Sequence, residues 1–127
     1  MKDLAISIIN YKTAKLTEKC LESILSKTWK TNFEIWLMDN DSSDGSLKYL
    51  KKKFPMVNFI ASKKNLGFAG GHNLALKNPR ARYYLILNSD VEILDGALDN
   101  LVEFMDKSEY GIASCMLLNM DKSFQPN

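Results

Sequence analysis

Apolar positions along the 127-residue chain fall into two kinds of run that alternate with each other. Short unbroken runs at residues 4–9 (LAISII), 33–38 (FEIWLM), 57–61 (VNFIA) and 83–93 (YYLILNSDVEI) lack strict polar–apolar alternation. They predict strands covered on both faces, as in a parallel sheet. Between them apolar residues recur at helical spacing. Leu16, Cys20, Leu21, Ile24 and Leu25 form one stripe from a start at Thr13 or Thr17, and Trp29 closes it. Leu47, Leu50 and Phe54 form a second from about Ser46, ending at Pro55 because the residue before proline avoids the helical region. A short helix through Leu74, Ala75 and Leu76 stops near Asn78-Pro79, and another after Asp95-Gly96 runs through Leu98, Leu101, Val102, Phe104 and Met105 to about Lys107. Residues 111–118 are strand-like and 119–122 read as a turn, with nothing after them to complete a hairpin.

Strand-to-helix crossings joined by short connections predict an α/β fold: a Rossmann-like, mostly parallel sheet with helices on both faces. No repeat or low-complexity linker divides the chain, so residues 1–127 read as one domain. The unfinished turn at its end suggests either a loose tail or the front part of something longer.

Composition adds little to this. With 46% hydrophobic and 25% charged residues the chain belongs with folded globular proteins rather than disordered ones. The net charge of +2 is unevenly spread, since 14 of the 17 basic residues precede residue 81. An anion or a membrane surface would suit the first part, but the lysines at 51–53 sit at a helix end, where a solvated face is the simpler reading. No basic stripe is interleaved with aromatics, so nucleic acid is not expected as a partner. Cys20 and Cys115 lie far apart in apolar surroundings and read as buried small hydrophobes of a reducing compartment. No apolar run reaches the roughly 20 residues of a membrane span. The expected location is the cytoplasm, with peripheral association at the inner face of the cell membrane left open.

Polar clusters follow three of the strands: Asn10-Tyr11, residues 39–44 (DNDSSD), and Asn88-Ser89-Asp90. In open α/β sheets the carboxyl edge is where ligands bind, and the three together point to a crevice for a polar ligand of nucleotide size. Asp39 follows its strand directly and is placed to accept hydrogen bonds from a base or ribose, while Asp41 and Asp44 read as Asx-turn residues. Gly67-Phe68-Ala69-Gly70-Gly71 opens a helix whose free N–H groups suit a phosphate, although glycines there also serve close packing. The stretch matches neither the Walker loop nor the dinucleotide fingerprint. Lys63 and Lys64 precede it and would offset diphosphate charge. His72, the only histidine, has no partners for a zinc site and reads as a packing or hydrogen-bonding residue. Asp90 is the leading candidate for a hard cation, Mg²⁺ or Mn²⁺, which takes one or two carboxylates plus substrate phosphates.

Five ordered pieces, SIINYKTAKLTEKCLESI, LMDNDSSDGS, NLGFAGGHNLAL, YYLILNSDVEI and GIASCMLLNMDKSFQPN, closely resemble the amino-terminal part of family 2 glycosyltransferases of the GT-A fold. The resemblance is greatest to the bacterial group that includes rhamnosyltransferases of polysaccharide assembly. It implies that Asn10 or Tyr11 and Asp39 line the pocket for the base, that Lys63 and Asn65 lie along the nucleoside, and that Gly70, Gly71 and Asn73 shape the loop beside it. Asn88 and Asp90 then stand at the family's metal motif, where Asn-Pro-Asp is more frequent and Ser89 is a departure; His72 stands where asparagine is usual. The reaction implied is transfer of a sugar, with inversion, from a nucleoside diphosphate sugar to a hydroxyl of a glycan or lipid-linked glycan. The catalytic base of such enzymes belongs to a later region, so none is assigned here, and low activity is expected of this part alone. Two other readings stand beside it: a structural or binding module that keeps the fold without catalysis, and a nucleotidyltransferase. The latter usually has a glycine-rich loop after its first strand, which Asn10-Tyr11-Lys12-Thr13 is not.

Overall fold

A computed structural model describes residues 1–126. The elements run β1 (Lys2–Asn10), α1 (Ala14–Lys27), β2 (Phe33–Asp39), α2 (Ser46–Lys53), β3 (Asn58–Ala61), α3 (Gly67–Ala75), β4 (Ala81–Leu87) and α4 (Ala97–Lys107). The four strands form one sheet in the order β3-β2-β1-β4, and every neighbouring pair is parallel. The chain steps outward from β1 to β3 and then returns across the sheet to β4. With right-handed crossovers that reversal puts α1 and α2 on one face and α3 on the other.

Side-chain parity follows from the register. Ile6 and Ile8 of β1 and Ile35 and Leu37 of β2 turn to the first face and pack with Cys20, Leu21 and Ile24 of α1, Leu50 of α2, and Leu98 and Val102 of α4. The opposite parity meets α3: Gly71 sits so close to Ile9 and Met38 that a Cβ there would lie 2.6 Å from Ile9 Cδ1. The glycine thus sets how deeply α3 seats on the sheet. The lysines ending α2 are exposed, and Lys53 pairs with Glu18 and, at 2.7 Å, with Glu22 of α1. This is the solvated helix face expected of them.

Several expectations are corrected. β4 is not covered on both faces: it is the edge of the sheet, and Tyr84 and Ile86 are 51% and 52% exposed. Only Tyr83, Leu85 and Leu87 pack on the core. β4 also starts earlier and ends at Leu87, with Asn88 to Asp90 in a turn. α3 starts at Gly67, earlier than the apolar spacing implies, so Gly70, Gly71 and His72 lie inside the helix rather than in a preceding loop. Leu16 and Trp29 do not close the α1 stripe; both are exposed, and the Trp29 indole donates to the Ser26 carbonyl instead. Residues 111–118 form no strand, only a single antiparallel bridge between Leu118 and Phe124. With Gln125 N–H donating to the Leu117 carbonyl, the turn at 119–122 does close a minimal hairpin. Asn127, the last residue of that tail, lies outside the described residues. Cys115 is only half-buried, whereas Cys20 is fully enclosed.

Candidate functional site

Parallel pairing decides where the polar tips go. Asn10 stands opposite Asp39, and Ile8 opposite Leu87, so β1, β2 and β4 all end at the same edge. β2 and β4 flank β1, which sets their tips two strand spacings apart, roughly 10 Å. Just past these ends Lys12, Asp41 and Ser43 adopt left-handed backbone, which for non-glycine residues concentrates at functional loops.

Beneath the rim Asn10 is a hub. It has no exposed surface, and its amide Nδ2 donates to Asp39 Oδ1 at 2.7 Å and to Ser42 Oγ at 3.0 Å. Its carbonyl Oδ1 accepts from Thr17 Oγ1 at 2.9 Å and from Thr13 Oγ1 at 3.3 Å. Asp39 is 5% exposed; its Oδ1 also accepts from Ser42 Oγ at 2.6 Å and its Oδ2 from Ser42 N–H at 3.1 Å. Oδ2 therefore keeps one of its two accepting sites. Tyr11 stands exposed above this pair, and Asp44 caps α2 through the Ser46 N–H at 3.0 Å.

A crevice of about 440 Å³ opens at this edge, walled by Thr13 and Leu16 of α1, Asn40 after β2, Asn65, Gly67 and Phe68 at the start of α3, and Asn88 to Asp90 after β4, with Ile9, His72 and Leu87 also lining it. It brings together Asn65, Asn88 and Asp90 of the residues read from sequence. Asp39 and Tyr11 are not among its lining residues, although Asn40, next to Asp39 in the chain, is. Lys63 and Asn73 are exposed and do not line it; Gly70 and Gly71 lie within α3, against Leu66 and the sheet.

The Asn88–Asp90 turn is held from below. Cys20 Sγ–H points to the Asn88 carbonyl at 3.7 Å, Val91 N–H returns to the same oxygen at 3.4 Å, and Ser89 Oγ lies 3.4 Å from Thr13 Oγ1. Burial, joined by the charges of Asp90 and Glu92, pushes the Cys20 thiol up to about 12, so it stays protonated and unreactive. No group of three or more His, Cys, Asp or Glu capable of holding a metal ion occurs among the described residues. The exposed Asp90 carboxylate suits a hard cation that completes its shell with phosphate oxygens and water, and does not suit a metal needing an all-protein cage.

The other wall depends on two residues that periodicity does not single out. Asn40 is buried and ties the 65–67 turn to the end of β2. His72, buried within α3, bonds Ser7 Oγ through Nδ1 at 2.7 Å and meets the exposed Phe68 ring edge-on with centroids 4.5 Å apart. Burial lowers its pKa, so it is neutral at pH 7. Half of the signal for the Ser7–His72 pair was present in the sequence: Ser7 is a solitary polar residue in an apolar strand, and buried polar groups need partners.

The profile "Glycosyl transferase family 2" matches residues 5–123. The chain belongs to that family. Among curated relatives, the poly(ribitol-phosphate) beta-N-acetylglucosaminyltransferase TarP of Staphylococcus aureus is 30% identical over 82% of this chain and 33% of its own length. The UDP-Glc:alpha-D-GlcNAc-diphosphoundecaprenol beta-1,3-glucosyltransferase WfaP of Escherichia coli is 32% identical over 84% of this chain and 42% of its own. The chain therefore spans less than half the length of either relative. Among solved structures, S. aureus TarS residues 1–349 superimposes with a TM-score of 0.70 at 27% identity, covering 83% of this chain and 32% of that one. A mannosyltransferase from Pyrobaculum calidifontis, in complex with GDP-Man and Mn²⁺, shares the fold at TM-score 0.71 and 19% identity, over 83% of this chain and 34% of its own. The GT-A reading of the parallel sheet holds.

Proposed function

We propose that the crevice is the donor site of an inverting glycosyltransferase acting in cell-surface polymer synthesis. It moves a sugar from a nucleoside diphosphate sugar to a hydroxyl of a glycan or lipid-linked glycan acceptor. The observation that carries this reading is the convergence of three parallel strand ends on one crevice, with the free Asp90 carboxylate in its wall and the Asp39 carboxylate beside it.

In this reading Tyr11 and the open side of Asp39 Oδ2 receive the base, and Asn65 meets the nucleoside. Lys63 lends positive charge from the loop before α3, and Gly71 sets the seat of that helix, which also carries Gly70 and Asn73. Asn88 and Asp90 face the diphosphate, and Asp90 holds Mg²⁺ or Mn²⁺ jointly with its oxygens. When bound, the cation neutralises charge on the departing diphosphate. Asn10 holds Asp39 from beneath, and the Cys20 and Val91 contacts at the Asn88 carbonyl keep the β4 turn at the crevice wall.

The general base that takes the acceptor proton is assigned outside these residues. No helix of the described residues is long and apolar enough to cross a membrane, and we place the enzyme in the cytoplasm, with lipid-linked acceptors met at the inner membrane face. A nucleotide-sugar donor is supported by S. aureus TarS, whose structures include complexes with UDP-GlcNAc and with UDP. Calorimetric titration with UDP-, dTDP- and GDP-sugars in the presence of Mn²⁺ tests the reading. Saturable binding of at least one is expected; a chain that binds none of them overturns it.

A further inference from the structure

The wall opposite Asp90 carries two asparagines whose amide orientations are fixed by backbone groups. A backbone N–H can only donate, so the side-chain atom it meets must be the oxygen. Leu66 N–H meets Asn40 Oδ1 at 2.8 Å, and Gly67 N–H meets Asn65 Oδ1 at 2.8 Å. Both amides are thereby oriented without appeal to their own assignment.

The rest follows by counting donors and acceptors. The Nδ2 of Asn40 donates to Asn65 Oδ1 at 2.9 Å and toward the Gly67 carbonyl at 3.4 Å, which uses both of its hydrogens. Asn40 is 3% exposed and has no donor hydrogen to spare. Asn65 Oδ1 accepts twice, from Asn40 and from Gly67. Its Nδ2 meets no protein group among the described residues, and Asn65 is exposed in the crevice wall.

We propose that Asn40 is a positioning residue that locks the Asn65 amide, so that Asn65 meets the donor nucleotide only as a hydrogen-bond donor to an acceptor oxygen of the nucleoside. This rests on the nucleotide-sugar reading above and refines it. Asn40 itself touches no ligand; it acts through Asn65. Without it the Asn65 side chain keeps only the Gly67 N–H bond on Oδ1, so the orientation that presents Nδ2 to the nucleoside is held by one bond instead of two and is less populated.

A double-mutant cycle read by calorimetric binding of UDP and, separately, of pyrophosphate with Mn²⁺ tests the lock. Asn65→Ala is expected to weaken UDP about tenfold and leave pyrophosphate unchanged, as for loss of one hydrogen bond in a partly dry site. Asn40→Ala is expected to weaken UDP by a similar factor, and the double variant to be no weaker than Asn65→Ala alone. Multiplying factors in the double variant, or equal losses for pyrophosphate, would mean a general structural role and overturn the proposal. Where Asn40→Ala fails to fold, nitrogen-15 spectra of the wild-type side-chain amides decide. UDP is expected to shift the Asn65 NH₂ pair and leave the Asn40 pair in place, whereas an unmoved Asn65 pair overturns the proposal. A wild type that binds UDP while Asn65→Ala is unaffected refutes this inference alone; a wild type that binds no nucleoside diphosphate removes the donor-site reading with it.

Discussion

The Asn10 amide and the Asp39 carboxylate meet at 2.7 Å below the rim, where Asn10 is sealed from solvent and Asp39 nearly so. Their strands pair in parallel, and the two residues are partners in the register, so the contact is a product of the sheet itself. Removing the amide leaves the carboxylate with Ser42 alone and leaves the buried Thr17 hydroxyl only its 3.4 Å contact with Thr13 Oγ1. Asn10→Ala is therefore expected to lose about 1–3 kcal/mol of stability, the range for a buried polar group left unsatisfied. Urea unfolding midpoints measure it, and a change within error would mean that Asp39 is held by other means.

Gly71 and Gly70 are neighbours with different tasks. A Cβ on Gly71 would collide with Ile9 Cδ1 at 2.6 Å and crowd Met38 Sδ at 3.3 Å, so Gly71→Ala must lift α3 or displace Ile9. Overpacking of this kind costs about 1–3 kcal/mol. At Gly70 the nearest atom is Leu66 Cβ at 3.1 Å, and the gain of up to about 1 kcal/mol in helix propensity offsets that crowding. Thermal unfolding should rank Gly71→Ala well below wild type and Gly70→Ala near it; Ile9 lines the crevice, so only the former should also weaken nucleotide binding.

Asp99, at the start of α4, anchors the loop after α1. Its carboxylate accepts N–H groups from Trp29 at 2.8 Å, Lys30 at 3.1 Å and Thr31 at 2.8 Å. Burial alone would raise its pKa, but these bonds outweigh burial and hold it below the ordinary carboxylate value. A carboxyl lowered on folding contributes stability that is fully present above its unfolded value of about 3.9 and is lost as pH falls through the folded value. Asp99→Asn should be less stable than wild type at pH 7, and the gap should close as pH drops below about 4, read from urea midpoints.

His72 has the same sign for a different reason. Its pKa is lowered by burial, so between that value and the ordinary 6.5 the unfolded chain binds more protons than the folded one. Stability is expected to fall as pH drops below about 6.5, and His72→Gln should remove this part of the slope between pH 7 and 5. An identical slope in the variant would show that the ring does not titrate differently on folding.

How far the chain could be read depended on whether a feature was local. The runs LAISII and FEIWLM, the caps near Ser46 and Gly96, and the stop at Pro55 are decided by neighbours a few residues away, and the elements lie where periodicity puts them. YYLIL is equally apolar but forms the sheet's edge, because strand order is a property of crossovers and not of the strand's own residues. Apolar spacing alone places the start of α3 too late, near Leu74, whereas the glycine stretch read as opening a helix does so at Gly67, its low helix propensity overridden by close contact with Ile9 and Met38. At the site, Asp39 and Asp90 were visible as polar tips on apolar strands. The hub role of Asn10 and the Asn40–Asn65 pair were not, since both depend on hydrogen bonds between segments some 25 to 32 residues apart.

The most direct test of the donor site is Mn²⁺ electron paramagnetic resonance on the chain with and without UDP. Wild type plus UDP is expected to diminish the free Mn²⁺ signal beyond UDP alone, and Asp90→Asn to abolish that difference while Asp99→Asn does not. An Asp90→Asn protein that still captures the ion with UDP as wild type does, or a wild type that captures none, would contradict the account.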